Sequence, residues 1–244
     1  MFNIVMCEMK KFKRIWILLI IGVFVLIQVS SAPVNMSTMK SADDLFTWVN
    51  MMTFSCGFLT AINILTAYVF LEEYKNNTMV TMITYKYERW KIFLGKIFAI
   101  ILISVLLYIV EFTMLTLISF ISFKSTLTLA VITKHLILTA KAFIFQMLMI
   151  TVTACVALVS KDFIAPIMYI GIQLIASFVF LSYPAVRAYI PFPLPVVSNL
   201  MLIRDNYKII RDISIMPSAV IIAVIMFVGG LVYGCWYINR MDVS

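Results

Sequence analysis

Six stretches of the chain are apolar over a length that crosses, or nearly crosses, a lipid bilayer. A helical span needs about 20 mostly apolar residues to cover about 30 Å of hydrocarbon. Charged residues are confined to the segments between these stretches, with Glu111 as the exception. The stretches are residues 15–32, 51–71, 97–123, 142–159, 163–183 and 219–238. The pattern predicts an all-α polytopic membrane protein with six transmembrane helices in a single domain over residues 1–244.

The distribution of basic residues predicts which ends of the spans face the cytoplasm. Four basic residues precede the first span, one follows it, and five lie in or at the end of the next loop. Cytoplasmic loops carry an excess of lysine and arginine, so this alternation places both termini in the cytoplasm. The loop before the sixth span also carries basic residues, which weakens the alternation there without reversing it. They are Arg187, Arg204, Lys208 and Arg211.

Composition narrows the class of protein further. Of 244 residues, 64% are hydrophobic and 12% are charged, and the mean hydropathy is +1.07. A soluble domain keeps about a quarter of its residues charged, so most of this surface faces lipid. We interpret the net charge of +8 as basic flanks held against anionic lipid rather than as a nucleic-acid surface. The four cysteines form no C-x-x-C pair, which predicts neither a disulfide framework nor a metal site.

Two segments outside the spans have the pattern of surface helices. Residues 1–14 carry an apolar stripe at helical spacing, with Glu8 and the basic residues on the other side. They predict an amphipathic helix in the inner membrane interface, with a disordered basic leader as the alternative. Between the fifth and sixth spans, the prolines of 191–195 exclude regular helix, and Ser198 is placed to cap a short helix after them. An outer helical cap is predicted here, with a flexible loop as the alternative.

The loop between the second and third spans, residues 72–96, is typical of a partner-binding element. Its residues at 79, 82, 83 and 86 share one face of a short helix that Asn77 or Thr78 can cap. Aromatic residues lie in or beside this helix at Tyr85, Tyr87 and Trp90. These aromatic residues are not expected in an ordinary solvated loop. They would fit either a contact with a partner protein or anchoring in the membrane interface. We predict a cytoplasmic helix that contacts another protein.

No complete catalytic motif is present in the sequence. Glu72-Glu73 resembles the start of the E-E-x-x-x-R motif of intramembrane CAAX-type proteases, but Asn77 stands where the arginine should be. The single histidine, His135, follows Lys134 and is interpreted as an interfacial side chain. No G-x-x-x-x-G-K-[ST] phosphate-binding loop occurs. The sequence therefore predicts no catalytic residue and no metal site.

Two features inside the spans, a glutamate and a glycine pattern, require an explanation. Glu111 lies near the middle of the third span, where an ionisable group is costly unless it is paired, hydrated or protonated. It belongs either to a transport pathway or interhelical contact, or is a protonated side chain bonded to a neighbouring helix. Gly230 and Gly234 form a G-x-x-x-G pattern, which permits close packing of helices within one chain or between two chains.

The layout and the inner loop together resemble a known family. Glu73-Tyr74-Lys75-Asn76-Asn77-Thr78, followed by Arg89 and then Lys96, is similar to a stretch in the permease subunits of type-2 ATP-binding-cassette (ABC) exporters. The resemblance is to the lantibiotic-immunity, bacitracin-resistance and modulin-export branch of Gram-positive bacteria. It covers the whole chain in topology but is specific in motif only over the inner loop, where Asn77 replaces the glycine of many relatives.

The resemblance implies a non-catalytic permease in the bacterial plasma membrane, with a coupling helix that docks into a separate ATPase. It implies two ATPase copies that bind ATP and Mg, and a second permease copy that is identical or a paralogue. It implies no cofactor in this chain, and its cargo would be an amphipathic antimicrobial or toxin-like peptide. The coupling residues are then Glu72, Glu73, Asn77, Thr78, Met79, Met82, Tyr85, Tyr87 and Arg89. Glu111 is the candidate residue for the transport pathway.

Two other functions are the alternatives to a permease. One is a membrane-embedded enzyme, which the missing motifs disfavour. The other is a sensor or scaffold whose inner loop binds a different protein.

Overall fold

The computed structural model describes residues 2–12, 22, 40–76, 88–180, 183–187, 189–198, 200 and 215–240, and within them all regular structure is helical. The helices are α1 (Phe2–Phe12), α2 (Ala42–Met52), α3 (Phe58–Lys75), α4 (Arg89–Ser122), α5 (Leu129–Met147), α6 (Ile150–Ser160), α7 (Ile164–Val179), α8 (Pro184–Arg187) and α9 (Pro217–Arg240). A short π-helix, Thr53–Gly57, joins α2 to α3.

Four helical stretches of the described chain are long and apolar enough to cross a membrane. They are Ala42–Lys75, Arg89–Ser122, Leu129–Ser160 and Pro217–Arg240, and Ile164–Val179 is a shorter apolar helix. The prediction of an all-α membrane protein is thereby confirmed over the described residues. The first predicted span, 15–32, lies outside them except for Gly22, so the count of six spans stays a prediction.

Three of the helical stretches begin well before the predicted spans, and the one predicted at 97–123 begins at Arg89. The stretch predicted at 51–71 begins at Ala42, where the Ser41 hydroxyl accepts a hydrogen bond from the Asp44 amide (3.3 Å). The stretch predicted at 142–159 begins at Leu129, and Thr128 caps it in the same way. Hydroxyl caps of this kind satisfy amide groups that a helix start leaves unbonded. Polar residues in the first two turns conceal these helix starts from a hydropathy pattern.

The long helix Ala42–Lys75 is the most buried of the candidate spans and contacts most of the other helices. α9 packs against α4 and α6 through the predicted G-x-x-x-G pattern. A Cβ atom at Gly230 would lie 2.6 Å from Thr151 Oγ1, and one at Gly234 would clash with the ring of Phe93. Of the two uses left open for this pattern, the structure shows packing within the chain.

α6 and α7 form a hairpin whose turn is only three residues long. Lys161 ends α6 in the left-handed conformation (φ 54°), and α7 begins at Ile164. The two helices pack side by side, and Thr153 of α6 and Gln173 of α7 both reach α3.

The segment after the proline run differs from the predicted outer cap. Ser198 lies inside a helical turn at 194–198 and donates a hydrogen bond to the Leu194 carbonyl (3.0 Å), so its predicted role as a helix cap is wrong. Leu194 and Val197 are buried in small apolar clusters. Residues 201–214 lie outside the described chain, and the helical cap itself stays a prediction.

Candidate functional site

Four charged side chains from three helices meet where α3 ends and α4 begins. Glu73 Oε1 lies 2.9 Å from Lys96 Nζ and 2.9 Å from Lys11 Nζ. Lys11 Nζ also lies 2.8 Å from Glu8 Oε1, and Lys96 Nζ lies 3.9 Å from Glu8 Oε2. We call Glu8, Lys11, Glu73 and Lys96 the four-charge cluster. It joins α1, α3 and α4 in one network with no net charge.

The cluster is buried, which makes its pairing energetically important. Glu8, Glu73 and Lys96 are at most 5% exposed. Lys96 also donates to the Val69 carbonyl (2.9 Å), and its ammonium lies 5.5 Å from the ring centre of Phe70. Removing one partner of a buried ion pair typically destabilises a protein by about 3–5 kcal/mol, because a buried charge is left uncompensated. The cluster therefore favours a single arrangement of the three helices.

Lys11 is the member of the cluster that reaches the surface, with 41% of its side chain exposed. Its partial burial would lower the pKa of the ammonium, but the carboxylates of Glu73 and Glu8 outweigh this effect and raise the pKa above its ordinary value. Lys11 is therefore charged throughout the physiological pH range and compensates the two carboxylates.

The face that the first helix buries coincides only in part with the predicted apolar stripe. Val5 of that stripe is buried but Met6 is 45% exposed, and Glu8, predicted on the other side, is buried as well. Ile4 packs on α4 at Gly95, where an added Cβ atom would lie 2.7 Å from Ile4 Cγ2. The assignment of Glu8 is wrong because Lys96 supplies a buried partner that the local pattern of residues 1–14 does not contain.

The predicted coupling residues fall partly inside and partly outside the described chain. Glu73 is the centre of the four-charge cluster, and Glu72 lies in the last turn of α3, partly exposed. Arg89 contacts a different helix, since its Nη1 lies 3.5 Å from the Asn239 carbonyl at the end of α9. Outside the described residues lie Asn77, Thr78, Met79, Met82, Tyr85 and Tyr87.

Glu111 makes an interhelical contact in the interior of the bundle. It is 3% exposed, and its Oε1 accepts a hydrogen bond from Thr53 Oγ1 (2.6 Å). Thr53 is the first residue of the π-helix, so this bond ties α4 to the junction of α2 and α3. Glu111 therefore has a hydrogen-bond partner on another helix. Its role in a transport pathway stays a proposal.

A second polar cluster lies at the start of α2, at the far end of the long helix from Glu73. His135 is fully buried, and its Nε2 lies 2.8 Å from Asp43 Oδ1 while Nδ1 lies 3.5 Å from Asn50 Nδ2. Its ring stacks on Phe46 with centroids 4.9 Å apart. Lys134 Nζ also contacts Asp43 (3.1 Å). A carboxylate and an aromatic ring on α2 therefore enclose His135, while its interpretation as an interfacial side chain stays a prediction.

A third polar network, absent from the sequence predictions, lies between these two ends. Asn63 Nδ2 donates to Gln173 Oε1 (3.1 Å), and Thr153 Oγ1 donates to Asn63 Oδ1 (2.6 Å). All three residues are fully buried. Polar groups facing the interior of a bundle tie helices together inside hydrocarbon. The sequence signal for this network is the presence of Asn63 and Gln173 in otherwise apolar stretches.

Comparison with known proteins identifies the family. A family model described as "ABC-2 family transporter protein" matches residues 4–180, which include α1 to α7 and the whole four-charge cluster. No curated protein and no solved structure matches the chain. The family is a membrane component of transporters, generally not catalytic itself, whose ATPase is a partner. Because the match covers well over half of the sequence, the chain belongs to the ABC-2 family of transporter proteins.

Proposed function

We propose that this chain is the permease subunit of an exporter for amphipathic peptides, and that residues 77–87 dock into the ATPase subunit. The supporting observation is the four-charge cluster, which joins the two helices that bracket this segment. Glu73 lies just before it, near the end of α3, and Lys96 lies just after it, in α4. A force applied to the segment would therefore move α1, α3 and α4 together.

The long helix carries such a movement across the membrane. Ala42–Lys75 has 34 residues, which at 1.5 Å per residue spans about 50 Å. Glu73 lies near one end, and Asp43, bound to α5 through His135, lies at the other. Displacement of α3 would thus be transmitted to α5 and would change access to a pathway, as a rigid-body motion. Glu111 and its Thr53 partner, between these ends, are the candidate contact for the pathway.

The remaining parts of the exporter are proposed from the resemblance. ATP and Mg would bind to two copies of the ATPase, and this chain would hold no cofactor. A second permease, identical or a paralogue, would complete the pathway in the bacterial plasma membrane, with both termini of this chain cytoplasmic. The cargo would be an antimicrobial or toxin-like peptide, and the 17 methionines suit an adaptable apolar lining.

Charge reversal at Glu73 tests the coupling role. In the complex reconstituted with its ATPase, Glu73→Lys should lower peptide-stimulated ATP hydrolysis at least tenfold, because the buried Lys96 and the partly exposed Lys11 then face a third cation. Glu88→Lys is the matched control, since Glu88 is at the same end of the bundle but its side chain is 60% exposed. The double variant Glu73→Lys/Lys96→Glu should recover part of the activity by restoring one ion pair.

Two results would contradict the proposal. Equal coupling in wild type, Glu73→Lys and Arg89→Glu would show that the segment between α3 and α4 does not transmit the force. A full-length chain that copurifies with no nucleotide-binding subunit, and whose loss changes no peptide tolerance, would instead favour the enzyme or scaffold alternatives.

A further inference from the structure

One face of α9 is apolar and exposed along its length. Gly230 and Gly234 turn the other face toward α6 and α4. The exposed stripe ends at Trp236, and Arg240 follows one turn later at the end of the helix. Its members, each at least 43% exposed, are Ile221, Val224, Ile225, Val228, Val232 and Trp236.

Arg240 lies over the ring of Trp236 at the end of this stripe. The guanidinium carbon lies 4.7 Å from the centre of the Trp236 ring, which is a cation–π contact. The guanidinium group is planar. The N–H groups lie in its plane and form a fork that matches the oxygens of a phosphate.

The start of α4 brings further cations to the same end of α9. Arg89 Nη1 lies 3.5 Å from the Asn239 carbonyl, next to Arg240. Lys91 Nζ lies 5.3 Å from the ring centre of Trp90, which is 36% exposed. The neighbouring acid is Glu88, whose carboxylate lies 3.1 Å from Lys91 Nζ. Among the described residues, three cations and one carboxylate therefore lie at this corner.

We propose that an anionic phospholipid binds at the junction of α4 and α9, with its phosphate on Arg240 and Arg89 and an acyl chain along the α9 stripe. The stripe is long enough for an acyl chain: from Ile221 to Trp236 is 15 residues, or about 22 Å of helix. Half of a hydrocarbon core of about 30 Å is shorter than this. The arginine over the Trp236 ring distinguishes this corner from an ordinary belt of interfacial aromatic residues.

Native mass spectrometry of the full-length chain tests the site. The chain would be purified in mild detergent with equal amounts of phosphatidylglycerol and phosphatidylcholine, and retained lipid counted. Wild type should retain phosphatidylglycerol preferentially, and Trp236→Leu/Arg240→Gln should lower that retention about fivefold, the effect of one basic residue near an anionic surface. The matched control is Phe120→Leu/Lys124→Gln at the other end of α4, where Lys124 Nζ lies 5.5 Å from the centre of an exposed ring.

Three results would overturn the proposal. Equal loss in the two double variants would show a general charge effect, and equal retention of both lipids by wild type would show no preference for an anion. A change from dimer to monomer in Trp236→Leu/Arg240→Gln, with lipid retention unchanged, would assign the stripe to contact with a second copy. If that variant does not fold, the test is made on the wild-type chain. Phosphatidylglycerol must then raise the melting temperature of the wild type more than phosphatidylcholine does.

Discussion

Glu111 and Thr53 place a carboxylate in the interior of the bundle with a hydroxyl of another helix as its partner. The sequence showed that Glu111 needs a partner, because an ionisable group inside hydrocarbon is costly, but could not say which residue supplies it. Thr53 is separated from Glu111 by 58 positions and belongs to a π-helix that no periodicity predicts. The sequence therefore predicts Glu111 as a candidate residue, but it does not predict the contact with Thr53.

Replacing Glu111 by leucine should impair peptide export while leaving expression intact. The substitution removes the acceptor of the Thr53 hydroxyl, whereas Glu111→Gln keeps an oxygen at the same distance and should retain more activity. Thr113→Val is a suitable control, because Thr113 is exposed and its hydroxyl donates to the Val110 carbonyl of the same helix (2.9 Å). Export from vesicles is the measurement, and unchanged export in the leucine variant would remove Glu111 from the pathway.

The π-helix sets the relative rotation of the two halves of the long helix. Successive residues of an α-helix are about 100° apart, and a π-turn accommodates one extra residue. With this residue in place, Asn50 of α2 faces His135 and Asn63 of α3 faces Gln173. Without it, α3 would rotate by about 100° relative to α2, and one of these contacts would be lost.

Deleting Cys56 from the π-helix should therefore disrupt the bundle far more than changing its side chain. Cys56 is exposed, so Cys56→Ala should leave stability and export close to wild type. The deletion removes the extra residue and should lower the melting temperature in detergent by more than 10 °C, or abolish expression. A deletion variant as stable as Cys56→Ala would show that the rotation is not needed.

The glycines of α9 offer a second test at this scale. Gly234→Ala places a methyl group against the Phe93 ring, and overpacking of this kind costs about 1–3 kcal/mol. Gly229→Ala, five positions earlier on the same helix, meets no atom within 4 Å and should be neutral or stabilising by up to about 1 kcal/mol. Unfolding in detergent measures both, and equal effects would contradict packing of α9 through Gly234.

Apolar patterning located the middles of the helices but not their starts. The first two turns of Ala42–Lys75 and Leu129–Ser160 carry Asp43, Lys134 and His135, which a hydropathy pattern assigns to loops. In the structure Lys134 and His135 of α5 both contact Asp43 of α2. Pairing between distant residues thus decides where the helices begin, and a sequence does not show which residues are neighbours.

At the scale of the whole molecule, the described polar contacts of the long helix lie at four levels, one of which is Thr53 with Glu111. Asp43 with His135 marks one end, Asn63 with Gln173 lies in the interior, and Glu73 with Lys96 marks the other end. Each level joins the long helix to different partners. The sequence predicted Glu73 as a functional position, but not Glu8 and Lys11, because their pairing with it depends on how α1 folds back onto α4.

The four-charge cluster also has a consequence for biosynthesis. Lys11 is synthesised 62 residues before Glu73, which at about 5–20 residues per second is a delay of about 3–12 seconds. During this time α1 can form its own pair between Glu8 and Lys11, but the partners that dock it onto the bundle do not yet exist. Docking therefore requires that Glu73 and Lys96 emerge on the same side of the membrane as α1. A chain whose helices insert in the wrong orientation cannot complete the cluster and is left with an undocked amino-terminal helix.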